Sequence, residues 1–191
     1  MKLVFASGNK HKLKEIASKL NNTVEVISMR DLGFTGEIEE PGETLEENAK
    51  IKADYITNAY KVNCFADDSG LEIDVLDGAP GVYSARFAGE GCTFDDNINK
   101  TLEVLKGKTN RKACFRTVIC LNLNGQTHFF EGRIDGEITE TKTGSDGFGY
   151  DPIFKPEGYD QTFAEMPLSL KNQISHRAIA VQKLVDFIAN L

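Results

Sequence analysis

Two adjacent aspartates, Asp67 and Asp68, follow a short apolar run and precede Ser69 and Gly70. Neighbouring carboxylates repel each other unless a metal ion or a proton offsets their charge. Mg²⁺ would offset it and bridge phosphate oxygens, and one carboxylate could then accept a proton from water. The alternative is a simple turn in which an aspartate bonds its own backbone. The pattern therefore favours metal-dependent hydrolysis, with either aspartate as the proton acceptor.

The segment from Ser7 to Lys12 combines a glycine turn with basic residues at a predicted helix start. The first turn of a helix offers free N–H groups and a positive dipole end, which suits phosphate. Lys12 lies in that first turn and adds a point charge. A helix cap with surface lysines explains the same residues equally well. The segment alone does not decide between these interpretations.

An acidic run with Glu37, Glu39 and Glu40 precedes a second predicted helix, which Thr44 and Glu47 mark as a capping box. Carboxylates before a helix often serve only as caps or solvated charge. The alternative is a site for a hard cation, because Mg²⁺ prefers carboxylate oxygens and keeps several waters. Both interpretations stay open on these residues.

Gly147 and Gly149 flank Phe148, and Tyr150 and Asp151 follow. Glycines allow a close backbone approach, and aromatic side chains stack on any nucleobase. Asp151 could accept hydrogen bonds from a purine edge. The alternative is an aromatic turn that packs on its own sheet.

Lys171, His176 and Arg177 lie within seven positions, at a helix start for which Ser175 is the predicted N-cap. The side chains of His176 and Arg177, which lie in the first helical turn, could face one anion or one base together with the free N–H groups of that turn. A histidine in such a place is otherwise an ordinary core or surface residue. Three basic residues at one helix start make a binding role as plausible as a structural one.

Hydrophobic periodicity predicts an α/β fold with a mixed, partly antiparallel sheet. Strands are predicted at residues 3–6, 23–28, 62–66, 71–75, 112–123 and 126–139. Helices are predicted after Asn9, from Thr44 to about Tyr60, over residues 94–105, and from about Ser175. Asn124-Gly125 is a strong hairpin signal between the two long strands. Asp67 and Asp68 are predicted at a strand's carboxyl end, where open α/β sheets bind their ligands.

Composition narrows the function classes. The chain has 191 residues and a formal net charge of −7, which argues against nucleic acid as a partner. No apolar run is long enough to span a membrane, and the start is too short for a signal peptide, so we expect a cytoplasmic protein. Among the four cysteines no C-x-x-C pair occurs, and we expect buried, reduced thiols. P-loop and G-x-S-x-G motifs do not occur.

Taken in order, six motifs resemble the inosine triphosphate pyrophosphatase family, the XTP/dITP diphosphatases. The motifs are Ser7-Gly8-Asn9-x-x-Lys12, Glu39-Glu40-x-Gly42, Asp67-Asp68-Ser69-Gly70-Leu71, Gly78-Ala79-Pro80-Gly81-Val82-Tyr83-Ser84-Ala85-Arg86, Phe148-Gly149-Tyr150-Asp151-Pro152 and Ser175-His176-Arg177. The resemblance implies one elongated α/β domain over residues 1–191, with two lobes and a central cleft. It also implies Mg²⁺-dependent hydrolysis of ITP, dITP and XTP to the nucleoside monophosphate and pyrophosphate, by a homodimer.

The resemblance also implies residue roles. Asp68 would hold Mg²⁺ and accept a proton from water, with Glu39 as the preferred acidic partner and Glu40 as the alternative. Ser69 would touch the substrate, and Arg86 would contact phosphate or a second subunit. The triphosphate is assigned to Ser7, Gly8, Asn9, Lys10, His11 and Lys12, and the base and sugar–phosphate to Phe148, Gly149, Tyr150, Asp151, Lys171, His176 and Arg177. Many family members have Thr at position 7, where this chain has Ser. Ser7 retains the hydroxyl group.

Selectivity for a 6-oxo purine has a physical basis. An N–H or cationic donor can bond O6, whereas adenine presents an amino donor there, and two facing donors cost about 1–3 kcal/mol. Guanine shares O6, so its rejection must depend on the 2-amino group. Two rival functions remain, a hydrolase for modified pyrimidine nucleotides and a nucleotide sensor without turnover.

Overall fold

The computed structural model describes residues 1–20 and 24–191. The strands are β1 (Lys2–Phe5), β2 (Glu25–Ser28), β3 (Cys64–Ile73), β4 (Lys112–Leu123), β5 (Gln126–Ile138) and β6 (Phe154–Pro156). The helices are α1 (Lys10–Leu20), α2 (Leu45–Tyr60), α3 (Phe94–Val104), α4 (Leu168–Ile174) and α5 (His176–Ala189). Thr23, the first residue of the predicted second strand, lies outside the described residues.

The strands form one mixed sheet in the order β2-β1-β3-β4-β5-β6. Strand β1 runs parallel to both β2 and β3, and β5 is antiparallel to β6. The turn between β4 and β5 has positive φ at Asn124 (51°) and Gly125 (82°), as a two-residue hairpin of type I′ requires. The predicted mixed α/β class is therefore confirmed.

Capping boxes stabilise two helix starts, and the sequence predicted the one at α2. At α2 the Thr44 side chain accepts from the Glu47 amide, and the Glu47 carboxylate accepts in return from the Thr44 amide. Thr93 and Asp96 form the same capping box at the start of α3. Each box satisfies two amides that a helix start would otherwise leave unpaired.

One predicted boundary is wrong. Asp67 and Asp68 do not end a strand, because β3 continues without a break from Cys64 to Ile73. Its two neighbours explain the difference. Strand β1 stops at Phe5, opposite Phe65, whereas β4 lies on the other side of β3 in the sheet. The aspartates therefore lie within β3, just beyond the carboxyl end of β1.

Two short elements, β6 and α4, were not predicted. They have three and seven residues, and a helix of two turns shows almost no apolar periodicity. Helix α4 matters for the site because it carries Lys171. A single residue, Ser175, separates it from α5.

The chain divides into two compact units. Unit 1 comprises residues 1–68, 117–132 and 176–191, and unit 2 comprises residues 69–116 and 133–175. The core of unit 1 contains Leu3, Phe5, Phe65, Ile119 and Leu184 among others. A second core in unit 2 contains Leu71, Ile73, Phe115, Phe154 and Phe163 among others. Each unit thus buries its own apolar side chains.

All four cysteines carry free thiols, and Cys64, Cys114 and Cys120 are buried, as their apolar strand contexts predict. Burial raises the pKa of each of these three thiols to about 12. No helix among the described residues is both long and apolar enough to cross a membrane.

Candidate active site

Strand β3 directs Asp67 and Asp68 to opposite sides, because successive strand residues alternate between the two faces of a sheet. In unit 1, Asp67 contacts Lys12 of α1 and Arg177 of α5. Asp68 contacts Asn48 and Lys52, which lie four residues apart on α2. The two adjacent carboxylates therefore have different partners and different electrostatic surroundings.

Asp67 is fully buried, yet it is surrounded by positive charge. Its Oδ2 lies 3.0 Å from Lys12 Nζ and 3.3 Å from Arg177 Nε. Burial by itself raises the pKa of Asp67, but Lys12, Arg177 and Lys52 outweigh burial and hold that pKa well below its usual range. Glu15 of α1 accepts from a second nitrogen of Arg177. Asp67 is thus an anion that orders two buried cations.

Asp68 is in a less positive environment. Asn48 Nδ2 donates to its Oδ2 at 3.2 Å, and Lys52 Nζ lies 3.6 Å from its Oδ1. Burial raises the pKa of Asp68, and the opposing effect of Lys52 and Lys12 is not sufficient to cancel it. Asp68 is therefore the more basic of the two carboxylates, which suits a group that accepts a proton.

Glu40 extends this arrangement, since its Oε2 lies 2.5 Å from the Lys52 ammonium. Burial lowers the pKa of Lys52, but Asp68, Glu40 and Asp67 outweigh burial, so its pKa is raised. Glu39, by contrast, is exposed. Of the two predicted metal partners, the structure connects Glu40 to Asp68.

These residues can be tested against the Mg²⁺ that the sequence predicts. The described part of the chain contains no group of three or more histidine, cysteine or carboxylate side chains that could hold a metal ion. Mg²⁺ does not need such a cage, because it usually takes one or two carboxylates and completes its shell with water and substrate phosphate. Asp68 and Glu40 already converge on one cation, the Lys52 ammonium. The donor set therefore fits Mg²⁺ brought together with a triphosphate.

The loop between β1 and α1 is ordered by its own side chains. Asn9 Oδ1 accepts from the amides of His11 (2.9 Å) and Lys12 (3.2 Å), and the Asn9 amide donates to Ser7 Oγ. The expectation that these first-turn amides are free for phosphate is wrong for His11 and Lys12, because Asn9 caps them. Gly8, Lys10 and His11 are exposed, whereas Lys12 points inward to Asp67.

The start of α5 is buried and closely packed. Ser175 has the extended conformation (φ −67°, ψ 155°) typical of an N-cap residue, and His176 and Arg177 are 4% and 3% exposed. A Cβ atom placed on Gly132 of β5 would lie 2.0 Å from the His176 carbonyl oxygen. Lys19 Nζ donates to the Ala178 carbonyl at 2.9 Å. The turn that carries Arg177 is therefore held from two sides.

In unit 2, Asp151 organises the predicted aromatic loop. Its Oδ2 accepts from Lys171 Nζ at 2.6 Å and from the Phe148 amide at 2.8 Å. Lys171 is 3% exposed, and its ammonium lies 5.0 Å from the centre of the Phe148 ring and 5.6 Å from that of Phe163. A buried ion pair thus lies against two aromatic faces.

Tyr150 is oriented into the core of unit 2. It is 5% exposed, and its hydroxyl donates to the Ser84 carbonyl at 2.7 Å. Burial raises the pKa of Tyr150 well above its usual value. In this structure the side chain of Tyr150 belongs to the core, while Phe148 and Gly149 are half-buried.

The remaining predicted residues, Ser69 and Arg86, also lie in unit 2. Ser69 is a half-buried residue of β3 next to Asp68 in sequence. Arg86 lies 3.8 Å from the Glu90 carboxylate, with its guanidinium carbon 5.2 Å from the centre of the exposed Tyr83 ring. Its observed contacts are thus with its own segment.

Three participants were missed from the sequence, namely Glu15, Asn48 and Lys52. The sequence does contain a signal for them, because each is a polar residue on a helix face that is otherwise buried. Asn48 and Lys52 share one face of α2 with Leu45, Ala49 and Ile56. A buried charge has to be paired, so such a residue indicates a partner elsewhere. The sequence does not tell which partner.

Residues 3–187 of this mixed α/β chain match the Ham1 family. The chain belongs to the Ham1 family, which confirms the predicted resemblance, and it is an enzyme of the pyrophosphatase class. A Flavobacterium johnsoniae protein named dITP/XTP pyrophosphatase is 56% identical over 98% of both chains. A Porphyromonas gingivalis protein of the same name is 51% identical over 98% of this chain and 97% of its own.

Solved structures agree with the sequence relatives. The Staphylococcus aureus Ham1 protein matches with a TM-score of 0.91 and 39% identity, over 100% of this chain and 99% of its own. A HAM1 protein from Coxiella burnetii matches with a TM-score of 0.93 and 37% identity, over 100% of both chains.

Proposed function

We propose that this enzyme hydrolyses dITP, XTP and ITP to the nucleoside monophosphate and pyrophosphate in an Mg²⁺-dependent reaction. The observation that carries the proposal is the divided role of the aspartates of β3. Asp67 lies between the cations of Lys12 and Arg177, whereas Asp68 lies against Lys52 and Asn48. The names of the relatives support the choice of dITP and XTP.

The charge balance of unit 1 supports a role for a divalent cation. Three positive side chains, Lys12, Lys52 and Arg177, are paired with four carboxylates, Glu15, Glu40, Asp67 and Asp68. This group has a formal surplus of negative charge before any substrate arrives. A triphosphate adds more, so positive charge from outside the chain would favour its binding. The argument predicts that substrate and metal bind together.

Asp68 and Glu40 are the residues that would hold Mg²⁺, which would neutralise phosphate charge and acidify a bound water. Asp68 accepts the proton of the attacking water, since Asp67 is already paired with Lys12 and Arg177. Lys12 and Arg177 bind phosphate oxygens and stabilise the charge that moves onto the departing pyrophosphate. The new bond joins the water oxygen to the α-phosphorus, and the bond that breaks joins that phosphorus to the α–β bridging oxygen.

Unit 2 offers the groups suited to a purine base. Phe148 provides a half-buried aromatic face, and Lys171 provides a buried donor beside it. A positive donor suits the O6 acceptor of hypoxanthine and xanthine and disfavours the amino group of adenine. Asp151 holds both groups through the Lys171 ammonium and the Phe148 amide.

We further propose that the enzyme acts in the cytoplasm as a homodimer, with nucleoside triphosphates rather than nucleic acid or membrane as partners. The net charge of −7 supports the exclusion of nucleic acid. Light scattering coupled to size-exclusion chromatography tests the dimer, and a mass of one chain at micromolar concentration would contradict it.

A substrate panel tests the activity. Initial rates on dITP, XTP, ITP, GTP, ATP and dUTP are measured with separate detection of pyrophosphate and phosphate, each with Mg²⁺ and with EDTA. We expect pyrophosphate from the first three substrates only, and only with Mg²⁺. Equal rates on dUTP would favour the pyrimidine hydrolase, and binding of ITP without any product would favour the sensor.

A further inference from the structure

The Tyr150 hydroxyl connects the aromatic loop of unit 2 to strand β3. It donates to the Ser84 carbonyl at 2.7 Å, and Ser84 Oγ in turn accepts from the Leu71 amide of β3 at 2.9 Å. Ser84 Oγ also donates to the Gly81 carbonyl at 2.6 Å. We call these three residues, Tyr150, Ser84 and Leu71, the tyrosine anchor.

Strand β3 packs closely against the segment that follows it, next to the tyrosine anchor. A Cβ atom on Gly70 would lie 2.5 Å from the Gly81 carbonyl oxygen, so the two backbones are in direct contact. The Ile73 amide donates to the Ala79 carbonyl at 3.2 Å. Because Gly70 directly follows Ser69, the anchor ends on the part of β3 next to a predicted substrate-binding residue.

The loop from 147 to 151 turns on two glycines and is attached at its end by hydrogen bonds. Gly147 and Gly149 both have positive φ (79° and 61°), a region that glycine enters without strain. Backbone bonds from the Ile153 and Phe154 amides to the Tyr150 carbonyl hold the end of the loop, and side chains add to them. Asp151 holds the Phe148 amide, and Tyr150 holds the loop to Ser84.

We propose that Tyr150 is a positioning residue that sets base discrimination through its hydroxyl. This proposal rests on the proposed function. The ring of Tyr150 packs in the core of unit 2, so the fold keeps the ring when the hydroxyl is removed. Without the hydroxyl, the Ser84 carbonyl loses its partner, Thr101 loses its contact with Tyr150, and the loop carrying Phe148 is left with its side-chain attachment to Asp151. Base binding changes, whereas the charged residues of unit 1 are untouched.

The test compares Tyr150→Phe with wild type on dITP and dGTP. We expect KM for dITP to rise about five- to tenfold, the range of one lost hydrogen bond, while kcat stays within about twofold. The preference for dITP over dGTP in kcat/KM should fall by a similar factor. Inhibition by inorganic tripolyphosphate, which has no base, should keep its wild-type Ki. The Tm should fall by about 2–4 °C.

Tyr83→Phe is the matched control, because Tyr83 lies in the same segment as Ser84 but is 54% exposed. It should leave KM, discrimination and Tm at wild-type values. Ser84→Ala removes the acceptor of the Leu71 amide and should change KM in the same direction as Tyr150→Phe. The double variant should be no worse than about the stronger single variant, because both changes break one chain of bonds.

Wild-type kinetics for Tyr150→Phe would overturn the proposal, and so would a fall in kcat with KM unchanged. Failure of the proposed function is visible separately, as wild-type enzyme that releases no pyrophosphate from dITP. Amide hydrogen exchange tests the anchor in either case. Tyr150→Phe should accelerate exchange at Phe148, and Ser84→Ala should accelerate it at Leu71, whereas unchanged exchange at both positions would overturn the anchor.

Discussion

The two units of this enzyme bury polar groups in opposite ways. In unit 1, seven charged side chains form two sets of ion pairs, one that includes Asp67 and one that includes Asp68. In unit 2, one ion pair between Asp151 and Lys171 lies against the rings of Phe148 and Phe163. Dense charge suits phosphate and metal, whereas a single donor beside aromatic faces suits a base. The proposed function accordingly assigns the chemistry to unit 1 and the selection of the base to unit 2.

The largest stability effect is expected from Asp67→Asn. The substitution leaves Lys12 and Arg177 buried without the carboxylate that they share, and breaking a buried ion pair costs about 3–5 kcal/mol. Urea denaturation measures the change. Glu137→Gln, which breaks an exposed pair with Lys155, is the control and should cost at most about 1 kcal/mol. An equal loss in the free energy of unfolding for the two variants would contradict a stabilising role of the buried ion pairs of Asp67.

Lys12→Ala should weaken phosphate binding, which we assign to unit 1, without changing base preference, which we assign to unit 2. A hydrogen bond to a charged group is worth about 1.5–3 kcal/mol, so KM for dITP should rise about ten- to a hundredfold. Tripolyphosphate inhibition should weaken by the same factor, because the lost contact is with phosphate. Preference between dITP and dGTP should not change. A wild-type KM in Lys12→Ala would contradict the role of Lys12 in substrate binding.

A smaller effect is expected from Gly132→Ala, which tests the packing of the Arg177 turn. The added methyl group would meet the His176 carbonyl at 2.0 Å, and overpacking of this kind costs about 1–3 kcal/mol. Gly36→Ala is the control, because its methyl group meets only the side chain of Phe34. A wild-type Tm and KM in Gly132→Ala would show that α5 can move away without consequence.

The smallest effect concerns the thiols. With pKa values of about 12, Cys64, Cys114 and Cys120 carry almost no thiolate at pH 8, while Cys92 is partly exposed. A disulfide reagent should therefore label one thiol in the native enzyme and four in urea. In a urea titration, Cys64 and Cys120 report on unit 1 and Cys114 on unit 2. Simultaneous labelling of all three would show that the units unfold together.

Sequence reasoning succeeded where the determinants are local. The Asn124-Gly125 hairpin and the Thr44 capping box depend on a few neighbouring residues, and both have the predicted geometry. It failed for β3, because the length of that strand is set by its neighbours in the sheet. Local signals ended the strand at Asp67, although the sheet continues it to Ile73.

The site shows the same division between local and distant determinants. Motifs identified Lys12, Asp67, Asp68 and Arg177, but not which aspartate carries which partners. That distinction depends on Lys52 and Glu15, which are distant in sequence from the groups that they pair with. All the metal-binding, substrate-binding and proton-transfer roles assigned from the motifs stay predictions.

The most direct test of the divided carboxylates is kcat for Asp68→Asn on saturating dITP with Mg²⁺. Loss of a proton acceptor costs about 10²- to 10⁴-fold in rate, and we predict a loss in this range with native circular dichroism and Tm. Asn48 can still bond a side-chain oxygen at position 68, so the fold should persist. Pyrophosphate release within tenfold of wild type would contradict the role of Asp68.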